Sequence, residues 1–174
     1  MTSLKCCPAV LEIVDPNQFG TMVKSSCSHA LVSMLHTWAQ ATKGTDAAVG
    51  IIQLDYRKAF DLIDHQTLVN KVLSLHIPRC VAHWVCDILM DRQQRVKLSN
   101  DCFSEWGPVP SGVPEGTKLG PWLFVFMIND LRCGSTSMTL PLKDGVSGIQ
   151  GAVDLVALWS RCNKLQLNVD KCKD

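Results

Sequence analysis

The chain has 174 residues, of which 47% are hydrophobic and 19% are charged, and its formal net charge is +1. This composition is typical of a globular protein and excludes a disordered chain, while the small net charge excludes a global field that attracts polyanions. The longest apolar run, Trp122 to Ile128, is too short to cross a bilayer, and no secretory signal opens the chain. We therefore expect an intracellular protein, in the cytoplasm or the nucleus, whose nine cysteines are reduced.

The first predicted elements are a helix and a strand. Ser28 is a suitable N-cap for a helix whose apolar residues recur at helical spacing, namely Leu31, Met34, Leu35 and Trp38. Residues 48–55 form an apolar run that ends in Asp55, which predicts a buried strand presenting a carboxylate at the edge of a sheet. Water and a metal ion can reach such an acid. The alternative is an ordinary aspartate that ends the strand and caps the next turn.

Two helices are predicted next, over 65–76 and 79–91. Asp64 caps the first, and Pro78 opens the second in its first turn, where a missing N–H costs nothing. The first helix is expected to bury one apolar face, consisting of Leu68, Val69, Val72 and Leu75. The second is expected to bury another, consisting of Val81, Trp84, Val85, Ile88 and Leu89.

The second half of the chain alternates hairpins and helices. The predicted elements are a hairpin at 95–98 and 102–106, a Gly- and Pro-rich loop, a buried helix at 119–131, a hairpin within 134–148, and a helix at about 152–164. The last helix is expected to use one face, with Leu155, Leu158, Trp159 and Cys162, and residues 165–168 to form a short strand. This order predicts an α+β fold in which strand 48–55 is central in an antiparallel sheet, between the two hairpins, with the helices packed on one face.

Three segments, in order and spacing, resemble the palm of reverse transcriptases from non-LTR retrotransposons. They are LDYRKAFDLIDH from Leu54, SGVPEGTKLGPWLFVFMINDL from Ser111 and LWSRCNKLQLNVDKCK from Leu158. DPNQFG, from Asp15, resembles the end of the fingers region of that family. The resemblance implies a polymerase palm-like sheet with a partial fingers segment. It divides the chain into fingers residues 1–47 and a palm subdomain over 48–174, and it leaves no residues for a thumb.

The resemblance implies DNA synthesis on an RNA template, from a DNA primer and deoxynucleoside triphosphates, by two-metal nucleotidyl transfer with Mg²⁺ or Mn²⁺. Asp55 matches the first metal-binding carboxylate of the family. Phe60 matches the bulky side chain that crowds a ribose 2′-OH, although a core aromatic is the alternative interpretation.

The loop after Ser111 matches the nucleotide-binding motif of the family, with Gly112, Pro114, Glu115 and Gly116 at its positions. Its glycines let the backbone approach the nucleotide closely. The family has Gln where this chain has Glu115, and a carboxylate there would repel a triphosphate.

The third palm motif of the family carries an Asp-Asp pair, and no such pair occurs in this chain. Aligned on that motif, Asp144 is the second metal ligand, beside Lys143; alternatively, Asp144-Gly145 is an ordinary turn. Lys171 matches a lysine that acts near the pyrophosphate, with a solvated surface lysine as the alternative.

The sequence therefore predicts a truncated, partly degenerate reverse transcriptase domain, a pseudoenzyme without activity. Two alternatives remain open: an active RNA-directed DNA polymerase, and a non-catalytic remnant that binds nucleic acid or another partner.

Overall fold

The computed structural model of the protein describes residues 12–22, 24–43, 49–131 and 145–173. The chain forms two compact units, of which the first comprises Met1–Val14 and Lys58–Met127 and the second comprises Asp15–Arg57 and Ile128–Asp174. Within the described ranges, no helix has both the length and the apolarity that a bilayer span needs.

The described elements are helices and one small antiparallel sheet, as expected for an α+β protein. The helices are α1 Cys27–Ala41, α2 His65–Ser74, α3 Arg79–Leu89, α4 Gly120–Ile128 and α5 Gly145–Cys162, followed by a 3₁₀ turn at Val169–Lys171. The sheet consists of β1 Gln93–Gln94 and β2 Gly107–Pro108. The finer expectation of a palm-like sheet, and the division at residue 47, remain predictions that follow from the resemblance.

The first unit has a dense core built from three helices. Asp64 begins α2 as predicted, because its Oδ1 accepts the Thr67 N–H at 2.9 Å. α2 packs against α3, and α4 adds an almost wholly apolar helix. The fully buried large side chains of this unit are Trp122, Phe126, Ile63, Leu68, Leu89, Leu123, Met127, Val72 and Val85. Lys71 also donates to the Met127 carbonyl at 2.8 Å, which satisfies an acceptor at the end of α4.

Two predictions for this unit were wrong in detail. Pro78 is the N-cap residue of α3, outside the first turn, and its extended backbone starts the helix without a side-chain hydrogen bond. Trp84 is exposed, because the face of α3 that meets the core carries Ala82, Val85 and Leu89.

In the second unit, the predicted buried strand 48–55 was wrong. Residues 49–57 form isolated bridges instead of a strand, Gln53 with Lys173 and Tyr56 with Leu167, and Ile51 is half exposed. The bridging partners of this segment lie near the end of the chain. Within the described residues the segment therefore forms no continuous ladder, and its predicted place between the two hairpins stays a prediction, because most of the second hairpin lies outside those residues. The short final strand predicted at 165–168 exists only as the bridge at Leu167.

Helix α1 also differs from its prediction. Its N-cap is Ser26, whose Oγ accepts the His29 N–H at 3.2 Å, whereas Ser28 already lies inside the first turn. None of its side chains is buried against the described residues, so the predicted apolar face at Leu31 and Leu35 is exposed.

Helix α5 begins at Gly145, so the predicted hairpin within 134–148 was wrong for its last residues, and residues 132–144 lie outside the described ranges. The predicted inner face was wrong as well, since Leu155 and Leu158 are more than half exposed. Val156 and Ser160 are buried in their place. Ser160 satisfies its hydroxyl by donating to the Val156 carbonyl at 2.6 Å, which a search for apolar periodicity does not detect.

Candidate functional site

Asp55 is held in place by the backbone of residues 166–173. Asn168 N–H donates to the Asp55 carbonyl at 2.8 Å, and Arg57 N–H donates to the Gln166 carbonyl at 2.8 Å. Gln53 and Lys173 exchange two further hydrogen bonds, of 2.8 and 3.0 Å. These bonds lie within the second unit and fix the position of Asp55 although no regular strand forms.

The carboxylate of Asp55 faces two donors from the same segment. The Asn168 side-chain amide donates to Oδ2 at 3.3 Å, and Lys171 Nζ lies 3.9 Å from the same oxygen. The Asp55 side chain is 42% exposed and that of Lys171 is 72% exposed, so solvent screens this ion pair. The structure thus brings together Asp55 and Lys171, two of the residues that the sequence singled out.

Mg²⁺ requires oxygen ligands, which in polymerase-type sites are one or two carboxylates together with waters and substrate phosphates. The described part of the chain contains no group of three or more His, Cys, Asp or Glu side chains placed to hold a metal. The groups described at the Asp55 carboxylate are the Asn168 side-chain N–H and the Lys171 ammonium, which donate hydrogen bonds and do not ligate a cation. The described donor set does not by itself fit Mg²⁺, and the predicted second ligand, Asp144, lies outside the described residues.

The loop that starts at Ser111 is docked onto residues 60–64 within the first unit. Gly112 N–H donates to the Ile63 carbonyl and Val113 N–H to the Phe60 carbonyl, both at 2.8 Å. Ser111 Oγ donates to the Asp61 carbonyl at 3.0 Å. From the other side, the ring Nε2 of His65 contacts the Gly112 carbonyl at 2.6 Å, and because a carbonyl only accepts, this nitrogen carries the proton.

The two glycines of this loop adopt left-handed backbone conformations, with φ of +86° at Gly112 and +69° at Gly116. A Cβ at Gly112 would lie 2.8 Å from the Asp61 carbonyl oxygen and 2.9 Å from that of Phe60. Gly116 has open space around it. Gly112 is therefore required both by its conformation and by close packing, and Gly116 by its conformation alone.

Pro114 and Glu115 lead into an exposed turn. Thr117 closes this turn, because its Oγ1 donates to the Pro114 carbonyl at 2.8 Å and accepts the Gly120 N–H at 3.1 Å. Glu115 and Gly116 are exposed at its tip, so the negative charge of Glu115 is presented to solvent.

Phe60 lies at the base of the docked loop. Its ring is half buried and packs against Phe124, with 5.3 Å between the ring centroids. This contact is the one expected of a core aromatic, and the predicted steric role toward a ribose stays a prediction.

Sequence reasoning missed the residues that position these groups, namely His65, Thr117 and Asn168. His65 directly follows the Asp64 cap, and Thr117 stands three residues before Gly120, so local spacing offered a signal for both. Nothing local marks Asn168, whose partner Asp55 is more than a hundred residues earlier in the chain.

The described cysteines, Cys27, Cys80, Cys86, Cys102, Cys162 and Cys172, carry free thiols. Burial raises the pKa of the Cys86 thiol above its ordinary value, and the neighbouring Asp87 carboxylate acts in the same direction. A thiol with a raised pKa is a poor nucleophile, so Cys86 is suited to packing rather than to chemistry.

The comparisons with known proteins agree with these motifs. A family model described as "Reverse transcriptase (RNA-dependent DNA polymerase)" matches residues 1–139. The chain belongs to the reverse transcriptase family. The matched residues include both the Asp55 segment and the loop after Ser111. Together with the two relatives described next, this match confirms the resemblance to reverse transcriptases of non-LTR retrotransposons.

Two curated relatives show the same relation at low identity. The "RNA-directed DNA polymerase from mobile element jockey" of Drosophila melanogaster is 23% identical over 193 aligned residues, which cover 99% of this chain and 21% of that protein. The "Retrovirus-related Pol polyprotein from type-1 retrotransposable element R2" of Popillia japonica is 24% identical over 132 residues, which cover 76% of this chain and 17% of that protein. This reverse transcriptase chain thus spans about a fifth of the length of these relatives.

Proposed function

We propose that this chain is a reverse transcriptase domain fragment of a non-LTR retrotransposon that carries the family's RNA-templated, two-metal design but does not polymerise DNA. Its ancestral substrates are an RNA template, a DNA primer and deoxynucleoside triphosphates, with Mg²⁺ or Mn²⁺ as the metal. Asp55 takes the role of the surviving metal ligand. Gly112, Pro114, Glu115, Gly116 and Phe60 take the role of the nucleotide-binding set.

The observation that carries this proposal is the environment of Asp55. Its carboxylate accepts a hydrogen bond from the Asn168 side-chain amide and forms an ion pair with the Lys171 ammonium. The chain contains no Asp-Asp pair to complete a metal site. Each Mg²⁺ keeps several waters and is held by one or two carboxylates together with substrate phosphates, so a two-metal site needs carboxylates placed to bridge both ions. With Asp144 as the second ligand and Lys143 beside it, the site has too little negative charge to hold both ions.

The nucleotide side of the proposal rests on the docked loop. Its positive-φ glycines and the hydrogen bonds to residues 60–64 hold the backbone in one conformation, which is the requirement for close approach to a nucleotide. Glu115 presents a negative charge at the tip of that loop. A carboxylate facing a triphosphate adds repulsion that the family's Gln avoids, and this also favours an inactive fragment.

Two other functions compete with this one. An active RNA-directed DNA polymerase is favoured by the retained Asp55 and the intact loop conformation. A non-catalytic remnant that binds nucleic acid is favoured by the missing carboxylate. In such a remnant, unlike in the first proposal, the loop after Ser111 would not bind a nucleotide.

Primer extension and metal binding test the proposal together. On poly(rA) primed with oligo(dT), in Mg²⁺ or Mn²⁺, we expect no extension by the unmodified chain, with an authentic reverse transcriptase as the positive control. In a restored variant, Leu142→Tyr, Lys143→Ala, Gly145→Asp and Glu115→Gln are combined. We expect calorimetry to show tighter Mg²⁺ binding by this variant, because a carboxylate is gained and a cation removed.

Asp55→Ala is the matched control in both backgrounds. In the restored variant it should abolish the gain in Mg²⁺ affinity, which shows that the new ligands act with Asp55. The proposal is wrong if the unmodified chain extends the primer in a metal-dependent reaction and Asp55→Ala abolishes this extension. The protein would then be an active polymerase.

A further inference from the structure

The hairpin that joins β1 to β2 is solvent-exposed along its whole length. Every residue from Gln93 to Trp106 is exposed, although this stretch contains four large apolar side chains, Val96, Leu98, Phe103 and Trp106. Trp106 is 58% exposed and Phe103 is 40% exposed. Both ring centroids lie within 4.7 Å of the Arg95 guanidinium carbon, so the rings adjoin and form an exposed apolar patch of the kind that marks a binding surface.

A bulge brings the two rings to the same side of the hairpin. Gln94 pairs with Gly107 and Lys97 pairs with Phe103, so two residues on the first arm of the hairpin, 95 and 96, face three on the second arm, 104–106. Phe103 and Trp106 are three residues apart and would point to opposite faces of a regular strand. The extra residue reverses that alternation, as bulges do. Ser104 holds the bulge, because its Oγ accepts the Val96 N–H at 2.8 Å and donates to the Glu105 carbonyl at 3.0 Å.

Two cations lie on the same face as the rings. The Arg95 guanidinium carbon is 4.1 Å from the Phe103 ring centroid and 4.7 Å from that of Trp106, and Lys97 Nζ is 5.7 Å from the Phe103 centroid. Arg95 thereby orders both rings. Val96 alternates with these cations along the strand and points to the other face.

We propose that the face defined by Arg95, Lys97, Phe103 and Trp106, here called the ring face, binds an unpaired stretch of RNA. Bases stack on aromatic rings and on guanidinium planes, and phosphates pair with the neighbouring cations. In a duplex the base faces are covered, so the strand must be single. The inference rests on the proposed function, which supplies an RNA template as the natural ligand.

Charge on the hairpin is modest. Residues 92–106 carry three basic side chains (Arg92, Arg95, Lys97) and two acidic ones (Asp101, Glu105), which gives a net charge of +1. Stacking must therefore supply most of the affinity, and binding should depend only weakly on salt. A surface that bound nucleic acid through phosphates alone would instead lose affinity steeply as the salt concentration rises.

The test measures binding of a fluorescein-labelled oligouridine to the full chain by anisotropy, in EDTA and without nucleotides. Removing one stacking ring should weaken binding about 10-fold, so we expect this loss for Trp106→Ala and for Phe103→Ala. Trp106→Phe keeps a stacking surface and should recover part of the loss. Lys97→Gln should lower the slope of log affinity against log salt by about 0.7.

Matched controls separate the ring face from general effects. Trp84→Ala removes another exposed tryptophan of the same unit, 39% exposed on α3, and should leave RNA binding unchanged. Leu98→Ala removes an exposed apolar side chain from the same hairpin and should also be neutral. The same sequence as an RNA duplex should bind more weakly than the single strand. Circular dichroism should show unchanged folding in every variant.

The outcomes separate this inference from the proposed function. If the unmodified chain binds RNA and both ring variants bind equally well, RNA uses another surface and the ring face is overturned. A loss with Leu98→Ala as large as with Trp106→Ala would also overturn it, and so would tight binding of single-stranded DNA without binding of RNA. The metal and extension assays do not involve the hairpin, so they judge the proposed function whatever the binding result.

Discussion

The docked loop at Ser111–Gly116 and the Asp55 segment at residues 53–57 carry two motifs of one family, but they are supported very differently. Carbonyls of residues 60–63, which accept hydrogen bonds from the loop, together with the His65 ring, hold the loop against the core of the first unit. The Asp55 segment, in the second unit, rests on scattered bridges and is nowhere fully buried.

This difference shows which of the two motifs is tied to the packing of the fold. The loop conformation is tied to backbone packing, so any sequence that keeps the fold of this unit must keep Gly112. The charge around Asp55 is not tied to packing in this way. Exposed groups such as Lys171 can change there at little cost in stability, and the chemistry can be lost while the fold remains.

The largest expected effect tests the contrast in packing between the units. Leu68→Ala should lower the free energy of unfolding by about 3 kcal/mol, because Leu68 is fully buried between helices of the first unit and its loss leaves a cavity. Guanidinium denaturation measures this. The matched change Leu155→Ala, on an exposed position of α5, should stay within about 0.5 kcal/mol. An equal loss of unfolding free energy in Leu68→Ala and Leu155→Ala would contradict this difference in packing.

The next effect tests the docked loop itself. Gly112→Ala should cost about 2–3 kcal/mol, because the new Cβ adds contacts below 3 Å with two carbonyl oxygens to the strain of a positive φ. Gly116→Ala carries the strain alone and should cost about 1 kcal/mol. Both are read from denaturation midpoints, with Gly107→Ala as a control that has open space. If Gly116→Ala proves the costlier change, the packing argument fails.

A smaller effect concerns the residue that joins the docked region to α2. Asp64→Ala should cost about 1 kcal/mol, because the Thr67 N–H loses its acceptor at the start of the helix. Asp64→Asn keeps a side-chain oxygen and should recover most of this stability. Thermal unfolding distinguishes the two, and an Asn variant as unstable as the Ala variant would mean that the charge, not the cap, is what matters.

The smallest effect tests the Asp55 segment. Lys171→Met should raise the affinity for Mn²⁺ a few-fold, because an exposed ion pair contributes at most about 1 kcal/mol that a metal must displace. The affinity is measured by titrating Mn²⁺ and recording the proton relaxation enhancement of water. Lys173→Met, which removes an exposed lysine two residues further on, is the control and should change nothing. A lower affinity in the Lys171 variant would show that this lysine supports the metal instead of opposing it.

Local patterns predicted the first unit well and the second poorly. Leu68, Val69 and Val72 recur at helical spacing and are buried, because a helix with one apolar stripe in a dense unit has one way to pack. Leu31 and Leu35 follow the same rule and are exposed, since amphipathicity says that a face suits burial but not what will cover it.

The candidate site shows the same limit. The Gly-rich loop was predictable because a cluster of glycines and prolines is a local sequence signal for turns and loops. The neighbours of Asp55 were not, because Asn168 and Lys171 meet it only through pairing between distant parts of the chain. Long-range pairing leaves little trace in a local window.

The short sheet has a consequence for behaviour at high concentration. Both strands of a two-stranded hairpin are edges, and an unpaired edge is a template on which another molecule can add a strand. Here Pro108 and Pro110 remove donors from one rim, the bulge at Ser104 bends it, and Arg95 and Lys97 place like charges along the other. These features oppose the edge-to-edge addition of strands from another molecule.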